Sequence, residues 1–479
     1  MQFLFIFLFT YFVSFIDKPE KSAPELSERA REQRERWGIQ TDAMDYPVSP
    51  MYMNRLLKMG VTIYHKSRWF NGVTCEMDEA LAQEVRELPF VTDVEMTRDN
   101  SSPIYAAPRR SKGFVTEATE VNAEPGMKTD AQLQLLNLTM LHEEGFEGKG
   151  ILMAICDGGF QNAQTMSCFR QKELELGHFD FTDDTDDFYG YTGAHGSECL
   201  STISGLIKDS YCGTATQAQY YLMRSEEVDN NRESPKEMDN LVAALEKADS
   251  LGVNVFSVSL GYYKFDHLSW SLQKSDLDGR HTRASLAATI AARKGMLVCV
   301  AAGNEGENEW QKICSPADAD SILTVGAVNT EGVIGGFSSY GPSADGRVKP
   351  DVCAVGEQAT LITPSGQIVT NNGTSFAAPQ IAGLAASLWS ALPKENAMQI
   401  RERIIRSADR YDNPDYSRYG YGIPDAWKAY TMELPTDLDA IENTPSETES
   451  HKILHNGQLY ILRNGRTYSV SGLEIVSPY

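Results

Sequence analysis

Four short segments carry the residue types that nucleophilic catalysis needs. Ile155-Cys-Asp157-Gly-Gly159 ends an apolar run on a carboxylate followed by glycines. In a parallel sheet the strand C-termini line the functional crevice, so Asp157 is placed to hold an imidazole. His195-Gly-Ser197 opens Glu198-Cys-Leu-Ser-Thr-Ile-Ser-Gly205. Of the eight histidines, only His195 starts a small-residue helix directly after a glycine-rich turn, and Gly193, Ala194 and Gly196 leave room for close approach. Asn372-Gly-Thr-Ser375-Phe-Ala-Ala-Pro379-Gln-Ile-Ala-Gly383 sets a hydroxyl at a predicted helix start, where backbone amides favour negative charge. Val300-Ala-Ala-Gly303-Asn304-Glu-Gly306 puts an amide side chain just beyond an apolar strand, where it could donate to a tetrahedral oxyanion. The first three segments each have a plainer reading: an Asp-Gly turn, a satisfied surface or core histidine, an ordinary N-cap at Ser375. The order Asp157, His195, Ser375 and the lack of a G-x-S-x-G elbow at Ser375 argue against an α/β-hydrolase.

These residues need a scaffold, and the patterning over 129–430 supplies one. Apolar runs at Ile151–Cys156, Gln219–Met223, Val253–Leu260, Met296–Ala302 and Ile322–Val328 alternate with helical segments such as Met238–Leu251 and Arg283–Lys294. Continuous apolar strands alternating with helices predict an α/β fold with a mostly parallel sheet covered on both faces. Residues 17–100 form a separate small α/β unit. Its helices are predicted at Leu26–Trp37, Tyr52–Met59 and Glu79–Leu88, and its strands at Val61–His65 and Phe90–Met96. Residues 101–128, with Arg109-Arg110, read as a linker and processing region. An acidic linker follows at 431–450, then a tail at 451–479 whose Asn-Gly pairs predict β-hairpins.

The set resembles the subtilisin-like serine proteases, or subtilases, over about residues 130–430. Phe256-Ser-Val-Ser259-Leu260-Gly261, Phe337-Ser-Ser-Tyr-Gly-Pro342, Lys349-Pro-Asp-Val-Cys-Ala-Val-Gly356 and Tyr419-Gly-Tyr-Gly-Ile-Pro-Asp-Ala426 add to the likeness. It implies a three-layer catalytic domain and a peptide-cleaving enzyme. Ser375 is then the nucleophile, His195 the general base and acid, and Asp157 the group that orients His195. Asn304 and the Ser375 amide make the oxyanion hole. Ser259, Leu260 and Gly261 pair with the substrate backbone, Ala301, Ala302 and Gly303 form the facing pocket wall, and Cys314 lies at the pocket base. Three positions depart from the family pattern: Gly158 after the aspartate, Ser197 after the His-Gly, and Gln380 where subtilisins often have His. The N-terminal unit resembles the inhibitory propeptides of secreted Bacteroidota proteases, and an independent binding domain is the other reading. The tail resembles a short form of that phylum's sorting tails, and a plain β appendage is as good a reading. A catalytically idle homologue acting in binding or adhesion, and an esterase on the same site, are the alternative functions.

Composition narrows the partners. Forty-three Lys plus Arg against 66 Asp plus Glu give a net charge of −23, which repels phosphate backbones and argues against nucleic acid. Met1–Ile16 is uncharged and too short to span a bilayer, so residues 1–16 read as a signal peptide or short apolar leader, with a short membrane anchor as the alternative. No Lys or Arg precedes the run and no A-x-A site follows it. The expected location is therefore secreted or cell-surface, touching membrane only through the leader or a sorting route. The partners are protein or peptide substrates and the chain's own propeptide. The eight cysteines show no zinc spacing, and a Cys199–Cys212 bridge is left open. The chemistry requires no cofactor. The acidic stretch Asp180–Asp187 leaves room for a structural calcium, unassigned, although its spacing is not that of an EF-hand.

Overall fold

A computed structural model describes residues 8–20, 22–100, 119–120, 127–169, 172–182, 187–190, 193–227 and 233–434, together with the tail strands. The linker and processing region falls almost wholly outside these residues, as do residues 183–186 of the acidic stretch.

The catalytic domain is built on seven strands in the spatial order Val352–Val355, Leu323–Val328, Leu297–Ala301, Val255–Val258, Leu152–Asp157, Gln219–Arg224, Glu175–Asp180. Every pairing in it is parallel. Alternate residues of one strand enter opposite layers, as the two-residue period requires. Met153 and Ile155 pack with the helix Thr374–Ala391, whereas Leu152, Ala154 and Cys156 pack with the helices Pro235–Leu251 and Arg283–Arg293. That sandwich explains why the strands read as unbroken apolar runs. The edge strand Glu175–Asp180 escapes the sequence pattern because it is only partly buried and polar. From the central strand Leu152–Asp157 the chain winds first to one side and then to the other. The crevice where the winding direction switches is where parallel sheets bind ligands, and Asp157 ends the strand beside it.

The N-terminal domain has the strand order Thr62–Ser67, Gly72–Met77, Phe9–Phe15, Val91–Asp99, all antiparallel. This corrects the leader reading for Phe9–Phe15 alone. Phe9–Phe15 is an inner strand of a folded sheet and not a segment separate from the domain. Its length of apolar residues has a physical cause. Tyr11, Val13 and Phe15 pack with the helix residues Tyr52, Leu56, Ala82 and Val85, while Phe12, on the opposite face, carries the Arg283 guanidinium 4.3 Å above its ring. A strand covered on both faces carries no charged residue, and Thr10 and Ser14 give only a weak polar alternation on the Phe12 face.

The tail, described by itself, is a four-stranded antiparallel sheet with His455 opposite Gln458 and Arg463 opposite Arg466. Those pairs flank the two Asn-Gly dipeptides, as the hairpin signal predicts. All eight cysteines are free, so the Cys199–Cys212 bridge does not form.

Candidate active site

Asp157 is 1% exposed at the end of its strand. Its Oδ1 accepts from the Gly158 amide at 2.7 Å. His195 Nδ1 lies 2.8 Å from Asp157 Oδ1 and 3.0 Å from Oδ2. The contact depends on Gly196. A Cβ there would meet Gly159 O at 2.3 Å and Asp157 Cβ at 2.9 Å, so only glycine lets the helix His195–Ser204 press against the strand end. Burial by itself disfavours the imidazolium, but the Asp157 carboxylate outweighs it and holds His195 well above its ordinary range. Cys199, one turn further on, is pushed up to about 11 by burial and is neutral around pH 7. Near neutrality the charge acting on His195 from this pair is therefore that of Asp157.

Ser375 is the second residue of the helix Thr374–Ala391 and is buried. Its hydroxyl donates to Ser259 O at 3.3 Å, and its own carbonyl accepts from Ser259 Oγ at 2.9 Å and from Cys199 Sγ at 3.2 Å. The Cys199 sulfur also lies 3.8 Å from His195 Nδ1, and the Phe376 ring is centred 5.6 Å from the imidazole. Asp157 and His195 are thus directly bonded, while Ser375 is tied to the histidine helix through Cys199.

Asn304 follows the strand Leu297–Ala301. Its Oδ1 accepts from both the amide (2.8 Å) and the hydroxyl (3.0 Å) of Thr374. The Thr374 hydroxyl in turn accepts from the Gly303 amide at 3.2 Å. With the amide oxygen so occupied, the Nδ2 donors face the other way, on the residue bonded to the one before Ser375.

Ser259, Leu260 and Gly261 continue from the strand Val255–Val258, and Ala301, Ala302 and Gly303 from the strand beside it. The two segments close on Cys314. Its amide bonds Ala302 O at 3.1 Å, a Cβ on Gly261 would meet its Cβ at 2.8 Å, and one on Gly303 would meet its Sγ at 2.9 Å. The three departures from the family pattern leave this centre intact. Gly158 donates to Asp157, Ser197 Oγ donates to Gln161 O at 2.7 Å, and Gln380 Nε2 donates to Val355 O and Phe376 O at 2.7 and 2.8 Å. Asp180 Oδ1 accepts from the Thr182 amide and hydroxyl at 2.9 and 2.6 Å, and its Oδ2 pairs with Arg224 at 3.1 Å.

The N-terminal domain docks on the helix Pro235–Leu251. Glu246 accepts from Ser67 Oγ, the Arg68 amide and the Trp69 amide at 2.6, 2.8 and 3.2 Å. Asp249 holds the guanidinium of Arg34 at 2.7 Å and also that of Arg68. Trp69 is buried within the catalytic domain's own core cluster. Arg98, at the far end of the domain, bonds Glu227 at 2.6 Å.

Comparisons with known proteins give the family. The subtilase family model matches residues 148–422, more than half of the chain. The chain belongs to the subtilase family. A second model, the peptidase S8 propeptide domain of Bacteroidota, matches residues 10–112, which takes in most of the inner strand Phe9–Phe15. This subtilase is 26% identical over 356 residues to the thermostable alkaline protease of Halalkalibacterium halodurans, covering 74% of this chain and 86% of that protein. It is 24% identical over 368 residues to subtilisin NAT of Bacillus subtilis subsp. natto, covering 76% and 82%. The crystal structure of MycP1 from the ESX-1 type VII secretion system shares the fold, with TM-score 0.52 and 23% identity, over 71% of this chain and 97% of that one. The chain is a serine endopeptidase of the subtilisin type, preceded by a propeptide domain. Sequence reasoning missed Cys199 as a neighbour of the site; its i, i+4 spacing from His195 was the available signal.

Proposed function

We propose that this subtilase cleaves peptide bonds through Asp157, His195 and Ser375 and is made as a secreted, self-processing zymogen. The observation that carries the reading is the 2.8 Å Asp157–His195 bond beside a hydroxyl at the start of the helix Thr374–Ala391. Rotation of the Ser375 side chain about χ1, away from Ser259 O, aims the hydroxyl at His195. Its oxygen attacks the scissile carbonyl carbon while His195 Nε2 takes the proton. Asp157 stabilises the resulting imidazolium. Asn304 Nδ2 and the Ser375 amide stabilise the oxyanion. The intermediate expels the amine, which takes the proton from His195, and water repeats the sequence on the acyl-enzyme.

The substrate lies along Ser259, Leu260 and Gly261 as an added strand. Its side chain before the cut enters between Gly261 and Gly303 and rests on Cys314. The N-terminal domain blocks the cleft until it is cut away between 101 and 128. No helix among the described residues is long and apolar enough to cross a membrane. A fluorophosphonate probe tests the proposal together with N-terminal sequencing of the active form. Labelling of the wild type that Ser375→Ala abolishes, on a chain starting within 101–128, is expected. A chain that never labels would turn the reading to an idle binding homologue. Labelling with ester but no peptide turnover would turn it to an esterase.

A further inference from the structure

The mechanism leaves one buried carboxylate beside the dyad unused. Glu198 lies in the first turn of the helix His195–Ser204, three residues after His195, and is 8% exposed. Side chains three apart on a helix are surface neighbours, their Cβ atoms about 5–6 Å apart. The Ser201 hydroxyl bonds the backbone carbonyl of Glu198 at 2.6 Å, but its carboxylate has no hydrogen-bond or ion-pair partner among the described residues.

The elements packed against this helix explain why. The helix Thr374–Ala391 and the strand Ala359–Ile362 contain no charged residue. The turn Ser167–Phe169 brings Cys168, whose thiol burial pushes up to about 12. The strand Leu152–Asp157 brings Asp157, and the helix itself brings His195 and the neutral Cys199. Burial raises Glu198 from its ordinary value; His195 draws it down and Asp157 pushes it further up. Among the described residues of these elements, His195 is therefore the only group that can carry a positive charge near Glu198.

Building on the reading of His195 as general base, we propose that Glu198 is a positioning residue acting by charge: ionised, it joins Asp157 in stabilising protonated His195 and so sets the pH at which activity falls on the acid side. A second carboxylate favours the imidazolium, and the base works only when neutral. Removing the charge therefore moves the acid limb of kcat/KM to lower pH. An opposite charge within about 4–6 Å shifts a group by roughly one unit or more; for a carboxylate three residues along the helix, with Asp157 already in place, about half a unit is expected.

The test is Glu198→Gln in the processed enzyme, with kcat/KM on a peptide amide followed from about pH 5 to 9. The acid limb should move down by roughly half a unit, and Glu198→Asp should keep it near the wild-type position. If Glu198 serves only the positive end of its helix, the melting temperature falls and the limb stays where it is; that result, or an upward shift, overturns the proposal. Should Glu198→Gln fail to mature, Glu198→Ala followed by the pH dependence of fluorophosphonate labelling must show the same downward shift, and an unmoved profile overturns it equally. His195→Ala separates the two readings. If it still labels, the assignment of His195 as base has failed; if it does not label while Glu198→Gln leaves the limb unmoved, only the role of Glu198 has.

Discussion

Thr374→Val tests how the oxyanion donor is aimed. The substitution keeps the shape of the side chain and removes one hydroxyl. That hydroxyl donates to Asn304 Oδ1 at 3.0 Å and accepts from the Gly303 amide at 3.2 Å. The backbone bond from the Thr374 amide to Asn304 Oδ1, at 2.8 Å, survives. Asn304 thus loses half of its clamp. One neutral hydrogen bond contributes about 1 kcal/mol, which is roughly fivefold in kcat/KM. Removing the donor itself, by Asn304→Ala, sets the ceiling at about 10²–10³, a magnitude borrowed from a subtilisin. Because Gly303 also loses its acceptor, a stability cost of about 1–3 kcal/mol accompanies the kinetic one. The assay is kcat/KM on a chromogenic peptide for both single variants and the double variant, well below their melting temperatures. If Thr374 acts through Asn304, the double variant is no slower than Asn304→Ala alone. Fully additive losses, or a Thr374→Val enzyme indistinguishable from wild type, would refute the clamp.

Three further outcomes follow from the contacts. Trp69→Ala empties a buried site within the catalytic core cluster, at a cost of about 3–5 kcal/mol, so the cut N-terminal domain should inhibit at least 10²-fold less well in a titration of the processed enzyme. Burial tends to raise Glu227, but Lys236 and Arg98 outweigh it and hold the carboxyl at about 2, below the ordinary 4.5. A depressed folded-state value stabilises above the unfolded one and is lost on acidification, so the melting-temperature gap between wild type and Glu227→Gln should be full above about pH 5 and close towards pH 2. A gap that stays constant over that range would count against the ion pair. Cys314→Phe should shift cleavage of a peptide library towards small residues before the cut, and an unchanged profile would remove Cys314 from the pocket base.

The chemistry was legible because its residues sit at element ends, and element ends have local signatures. Asp157 before two glycines, His195 after a glycine-rich turn and Ser375 after Gly-Thr all mark places where the chain changes conformation. The apolar strands of the central sheet were legible for a related reason: burial on both faces leaves no polar residue to confuse the run. That same rule misled at the N-terminus. Phe9–Phe15 carries no charge and only Thr10 and Ser14 as polar residues because one face meets its own helices and the other meets Arg283, and a leader sequence has a similar composition for a different reason. Composition cannot tell a membrane-directed segment from a strand sandwiched between two domains.

The sequence alone determined the family, the α/β architecture and the identity of the reactive side chains, since these follow from local patterns. Tertiary structure alone decided which groups act on one another. Cys199 turned from a candidate disulfide partner into a bridge between Ser375 and His195, and Glu198 became a largely buried carboxylate three residues along the helix from His195. Glu246 and Asp249 became the seat of the N-terminal domain through partners about 180 and 215 residues away. Contacts over such separations leave no periodic trace in a sequence, because burial and electrostatic coupling belong to the packed arrangement and not to the residues in order.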